Sequence, residues 1–89
     1  MNIYQRNLDL IVEEIDNELL ILDVNNGKYF ALNSVSNDIW KILENPLNVN
    51  EIISELTKIY DVDYKKCEED TFVAIKKMLR LKIINVFKR

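Results

Sequence analysis

The stretch from Leu20 to Trp40 constrains this chain most. Two short apolar runs meet at Asn26-Gly27, and the second leads at once into a capped amphipathic segment. Asn-Gly between runs of Leu, Ile, Val, Tyr and Phe predicts a hairpin with a type I′ turn. Both central positions of that turn need φ > 0, which Asn and Gly adopt at least cost. A two-residue turn at this place sets Val24 opposite Tyr29, Asp23 opposite Phe30 and Ile21 opposite Leu32. One face then carries Leu20, Leu22, Val24, Tyr29 and Ala31, and the other Leu19, Ile21, Phe30 and Leu32. A hairpin with one face in water should alternate apolar with polar residues, and this one does not. Helices are therefore expected to cover one face, while the other is partly buried or meets a partner. A small sheet also ends in an edge, whose free N–H and C=O groups can pair with another extended chain.

The rest of the chain reads as more short strands and then helices. Residues 9–15 predict a first strand turning at Asp16-Asn17, followed by strands over 18–24 and 28–33. A first helix is expected from Ser34 or Ser36, both good N-caps, to Asn45 before Pro46, with Val35, Ile39, Ile42 and Leu43 inward and Trp40 beside them. Asn48 with Glu51 three residues on predicts a capping box opening a second helix, whose apolar positions are Val49, Ile52, Ile53, Leu56, Ile59 and Tyr60. A third helix is expected from about Tyr64 to Leu81, with Thr71, Ala74, Ile75, Met78 and Leu81 spaced for burial. The tail from Ile83 to Phe87 is apolar enough to pack back on the domain. The expected class is α+β: a three-stranded antiparallel sheet followed by a three-helix, winged-helix-like unit, in one domain over residues 1–89.

Composition removes most catalytic classes. The chain has no His, and so lacks the commonest general base and metal ligand. Its single Cys67 excludes paired-thiolate zinc sites and an intramolecular disulfide, which suits a reducing cytoplasm. Nothing beside Cys67 in sequence resembles a base that would make it a reactive thiol. The single Gly27 excludes glycine-rich phosphate loops. Adjacent acids such as Glu13-Glu14 and Glu68-Glu69-Asp70 read as solvated faces, because sequence neighbours do not converge on one point. With 48% hydrophobic and 30% charged residues, the chain has the composition of a folded domain. No apolar run approaches the ~20 residues that span a bilayer, and the N-terminus lacks a signal-peptide core. The expectation is a cytoplasmic protein without catalysis, cofactor, metal or membrane partner.

Tyr29-Phe30-Ala31-Leu32-Asn33, followed by Ile39-Trp40-Lys41-Ile42-Leu43, resembles the YxLN…IWxLL core of PqqD-like proteins, the recognition elements for ribosomally made, post-translationally modified peptides. The likeness continues through Glu51 to Tyr60, at Asp61-Val62, and at Asp70, Ile75 and Met78, so that it covers roughly residues 8 to 86. No single motif is diagnostic; their order and spacing carry the match. It departs at Lys82, where the family usually has Gly at the end of its last helix. The resemblance implies that the leader segment of a precursor peptide lies in a groove beside the third strand and adds to the sheet. Carried onto this chain, the strand is Lys28, Tyr29, Phe30, Ala31 and Leu32.

The helical wall of such a groove is read from residues left over on the third helix. Phe72, Val73 and Leu79 fall off its buried stripe, and Phe72, Lys76 and Leu79 share one face at i, i+4, i+7 spacing. Carried onto this chain, the resemblance implies a wall at Phe72, Val73, Lys76, Leu79 and Arg80, although a long central helix is often simply buried on several sides. Residues 71 to 89 hold six basic residues and no acid, whereas residues 1 to 64 hold twelve of the fifteen acids. This run either complements the helix dipole or steers an acidic peptide.

The resemblance implies two partners, the leader and a separate processing enzyme. That enzyme is expected to be a leader peptidase of the lasso-peptide type, with a radical-SAM enzyme next. The rival reading is a winged-helix DNA-binding regulator, using the basic third helix in a major groove. A net charge of −3 opposes phosphate binding by the whole chain, and Arg80 is the only base-reading residue type on that helix. A third reading is an accessory subunit or homodimer whose edge strands pair.

Overall fold

Asp16 and Asn17, rather than Asn26 and Gly27, form the tight turn of this protein. In the computed structural model, which describes residues 1–89, these two residues have φ of 52° and 68° and close a two-residue loop between Ile15 and Glu18. Two consecutive positive φ values are the signature of the type I′ turn, and Asp and Asn tolerate them better than other side chains. At the second hairpin only Gly27 is left-handed, with φ 63°. The loop there is four residues, Val24 to Gly27, because Asp23 pairs with Lys28. Asp23 holds the loop by accepting from the Asn26 amide nitrogen at 3.3 Å and from its Nδ2 at 2.7 Å. That carboxylate bond favours a wider loop over the two-residue turn expected from Asn-Gly.

The strand register shifts by two residues as a result. Leu20 pairs with Ala31, Ile21 with Phe30 and Leu22 with Tyr29. A shift of two preserves side-chain parity, so the expected division between faces survives the wrong register. Leu19 and Ile21 are buried, with Phe30 and Leu32 packed beside them against the core, while Tyr29 on the opposite face is 72% exposed.

The elements in order are β1 (Asn2–Arg6), β2 (Ile11–Ile15), β3 (Glu18–Asp23), β4 (Lys28–Ala31), α1 (Ser34–Ile42), α2 (Val49–Ile59), α3 (Tyr64–Arg80) and β5 (Ile84–Lys88). The expected α+β class and the order of three strands before three helices are both present. Strands β2, β3 and β4 form one antiparallel sheet in chain order, with β2 and β4 at its edges. The expected first strand is shorter than its predicted span, beginning at Ile11 instead of residue 9. Helix α1 is capped one residue before the serines, by Asn33, whose Oδ1 accepts from the Ser36 N–H at 2.9 Å. It ends at Ile42, short of Asn45. Asn48 and Glu51 form the expected capping box at α2, with reciprocal bonds of 2.9 and 3.0 Å.

A second sheet, of two strands, lies outside the expected set. β1 pairs antiparallel with β5 along its whole length, Asn2 opposite Lys88 and Arg6 opposite Ile84. The other side of β1 is partly closed by Leu47, through paired backbone bonds with Tyr4 of 2.8 and 3.0 Å. Ile3 and Tyr4 are buried, and Arg6 lies over the Trp40 ring at 4.9 Å while its Nε donates to the Trp40 carbonyl at 2.8 Å. This sheet joins the chain ends and positions the last residues of α3.

The end of α3 explains how Lys82 stands where glycine is usual. Lys82 is left-handed, with φ 61°, and the Ile83 N–H returns to the Met78 carbonyl at 2.9 Å. This is the helix-terminating conformation that glycine adopts without strain. The adjoining Ile83 and Ile84 are buried, and the Lys82 carbonyl accepts from Asn7 Nδ2 at 2.8 Å. Those contacts hold the terminus despite the Cβ.

Around the core formed by Ile21, Ile39, Leu43, Ile52, Ile53, Leu56 and Met78, the three helices pack on one another, with α1 against β3, α2 against β1 and α3 against β5. No helix is long and apolar enough to cross a membrane.

Candidate functional site

The free edge of β4 opens on a groove. The Leu32 N–H donates to the Leu19 carbonyl at 3.4 Å, which fixes the phase of the ladder. Antiparallel pairs alternate between hydrogen-bonded and non-bonded. Phe30 and Lys28 therefore turn their backbone groups toward β3, as Leu32 does, while Tyr29 and Ala31 turn theirs outward. A chain lying along this edge would meet two N–H and two C=O groups already aligned.

The groove beside that edge has a volume of about 260 Å³. Its strand side is Tyr29 to Asn33, and its helix side is Lys77, Met78 and Leu81, with Ile83 at the end. A second depression of about 220 Å³ continues past Val35, Asp70, Val73 and Ala74. The two meet at Asn33, Ser36 and Lys77, which line both. Apolar wall and open backbone edge stand face to face, which is the geometry needed to hold an extended peptide by its main chain and sort it by side chains.

Of the strand residues expected at the site, Tyr29, Phe30, Ala31 and Leu32 line the groove, while Lys28, paired with Asp23 across the hairpin, does not. The expected helix residues are placed differently. Phe72, Lys76, Leu79 and Arg80 line neither depression, and of the five expected only Val73 lines one of them, the second. Phe72 is half exposed and Lys76 and Arg80 are exposed, whereas Leu79 packs against the core. The leftover apolar face is the natural wall on sequence grounds, but the sheet sits against the neighbouring flank. That flank mixes the buried Met78 with the exposed Lys77, so in sequence it is indistinguishable from ordinary core beside ordinary surface. The one signal that points to Lys77 and Leu81 is their position one or two helical turns from Val73 and Ala74 on the same side.

Away from the groove, the Tyr60 hydroxyl donates to the Asp38 carboxylate. That bond, then burial and the charge of Asp38, raise the Tyr60 pKa above its ordinary value of 10.0, against a smaller lowering by Ser34. This contact ties the end of α2 to α1. Cys67 is buried nearby, with Sγ 4.0 Å from the Thr71 hydroxyl.

The same architecture occurs in solved proteins. A structure of TbiB1 in complex with the TbiA(beta) leader peptide superimposes with a TM-score of 0.79 at 24% identity, covering 91% of this chain and 94% of that one. A structure of lasso peptide synthetase B1 complexed with its leader peptide gives 0.76 at 19% identity, covering 92% and 96%. At these identities the likeness establishes the fold. No curated protein matches the sequence. The family model for coenzyme PQQ synthesis protein D matches residues 18–84, from β3 through the start of β5. With three-quarters of the sequence matched and the fold in agreement, the chain belongs to the PqqD family.

Proposed function

We propose that this protein binds the leader segment of a ribosomally made precursor peptide and delivers it to a separate processing enzyme, with no chemistry of its own. The observation that carries the reading is the outward backbone of Tyr29 and Ala31 beside the apolar wall of Met78 and Leu81. An extended leader would add to the sheet as a strand next to β4. Main-chain bonds give affinity that depends little on sequence, and pockets taking alternate side chains give specificity. Tethering the precursor in this way raises its local concentration at the enzyme.

The fold shared with two leader-bound proteins, one of them lasso peptide synthetase B1, favours a lasso-peptide system over a radical-SAM one. The outer sheet face, where Ile11, Leu22 and Tyr29 stand in one cross-strand row, is the surface we assign to enzyme docking. The setting of such a system is the cytoplasm.

Fluorescence anisotropy with the leader of the precursor encoded beside this gene tests the reading. Saturable binding is expected; none up to about millimolar peptide, alone or with the neighbouring enzyme, would sink it. Duplex DNA titrated in the same assay is expected to give no saturable signal at physiological salt.

A further inference from the structure

We propose that the junction of the two depressions is a carboxylate subsite, which takes one acidic side chain of the bound peptide through Ser36, Lys77 and the first amides of α1. The inference rests on the peptide-binding reading and adds to it the chemistry of one peptide residue.

Three observations converge on the junction. Ser36 is only 3% exposed and lines both depressions. Its hydrogen bond runs through the backbone N–H to Asn33 Oδ1, which leaves the hydroxyl without a partner in the chain. The hydroxyl is not sealed from solvent, so a ligand lying in the depressions can reach it as a donor. The α1 amides of Ser34 and Val35 likewise have no acceptor, because Asn33 satisfies only Ser36 and Asn37. They form the positive end of a nine-residue helix. Lys77 has no carboxylate within ion-pairing distance. Asp70, the one acid lining either depression, is already bridged to Lys66 at 3.2 Å.

A hydroxyl donor, free helix amides and an unpaired ammonium together match a carboxylate, which accepts several such bonds at once. A neutral amide could use the donors but would leave the Lys77 charge unanswered. A basic peptide residue would meet repulsion. The rest of the wall is apolar, so the peptide expected is one acidic residue between apolar ones, its acid reaching Ser36.

A random peptide library displayed on phage, selected against the immobilised protein, tests this without requiring the natural ligand. Enriched peptides are expected to share one Asp or Glu at a fixed distance from apolar residues. A synthetic enriched peptide and its Glu→Gln or Asp→Asn variant are then titrated against the parent, Lys77→Gln, Ser36→Ala and Lys76→Gln. Neutralising the peptide acid should weaken binding to the parent and to Lys77→Gln unequally, by about tenfold against about threefold. Lys76→Gln should behave as the parent. Ser36→Ala should lose part of the acid preference, and because Lys77 is exposed, Lys77→Gln reports even where Ser36→Ala fails to fold. Enriched peptides without a fixed acid, or an equal effect on parent and Lys77→Gln, overturn the subsite while leaving peptide binding intact. No enrichment of any peptide overturns both.

Discussion

Helix α3 has two flanks that the sequence makes nearly equal and the fold makes very different. One carries Phe72, Lys76 and Leu79, the other Lys77, Met78 and Leu81; each pairs apolar bulk with a lysine. Only the second shares a groove with the open edge of β4. Phe72 on the first flank is 49% exposed, whereas Met78 on the second is 1% exposed. A surplus of apolar residues on a helix thus marks where it can bind, but the neighbouring sheet decides where it does.

Four tests break or sharpen this comparison. The largest difference should be in stability. Met78→Ala removes a fully buried side chain and should cost about 2–5 kcal/mol, whereas Phe72→Ala, half in water, should cost under about 1 kcal/mol. Urea denaturation of both variants measures it, and equal losses would mean that Phe72 is as much a part of the core as Met78.

Next comes the strand that faces the groove. Ala31→Pro removes an outward N–H and leaves the β3 ladder whole, so the protein should stay folded while leader binding weakens by about 1–3 kcal/mol. Phe30→Pro removes an inward N–H and should loosen the hairpin itself. Anisotropy with circular dichroism on the two variants separates these outcomes. Leader binding by folded Ala31→Pro at parental affinity would place the peptide away from β4.

Where both flanks end, Lys82 holds a left-handed conformation that costs a side chain about 1 kcal/mol. Lys82→Gly is expected to raise the thermal midpoint by relieving that cost, with peptide affinity unchanged because Lys82 does not line the groove. A lower midpoint would show that the lysine stem contributes packing that outweighs the strain.

The smallest effect concerns charge. Reversing Lys77 to Glu should weaken leader binding more than reversing Lys76, although exposed pairs are worth only about 0.2–1 kcal/mol each. The Lys77 deficit should shrink as salt rises, because exposed charges are screened. Titration calorimetry at low and high ionic strength distinguishes the two lysines. Equal deficits would return both to the role of dipole compensation at a helix end.

Much of the fold is readable because its determinants are local. The capping box of Asn48 and Glu51 needs only four residues, and the α2 stripe of Ile52, Ile53 and Leu56 repeats within one helix. The inward face of the hairpin is readable even through a register error, since a slip of two leaves parity intact. Asn33 is not legible as the α1 cap because Ser34 and Ser36 are equally good caps, and only the chain leaving β4 decides which residue stays extended.

The sequence by itself determined the class, the order of strands and helices, and which side of the hairpin turns inward, because each follows from propensity or periodicity over a few residues. Tertiary structure decided the rest. Asp23 chose a four-residue loop over the Asn-Gly turn by bonding across it. β1 exists only because β5, at the far end of the chain, supplies its ladder; Asn, Gln and Arg in a five-residue strand give no local signal. The groove belongs to Lys77 instead of Lys76 because adjacent helix positions differ by about 100° in direction, and only the packed sheet selects between them.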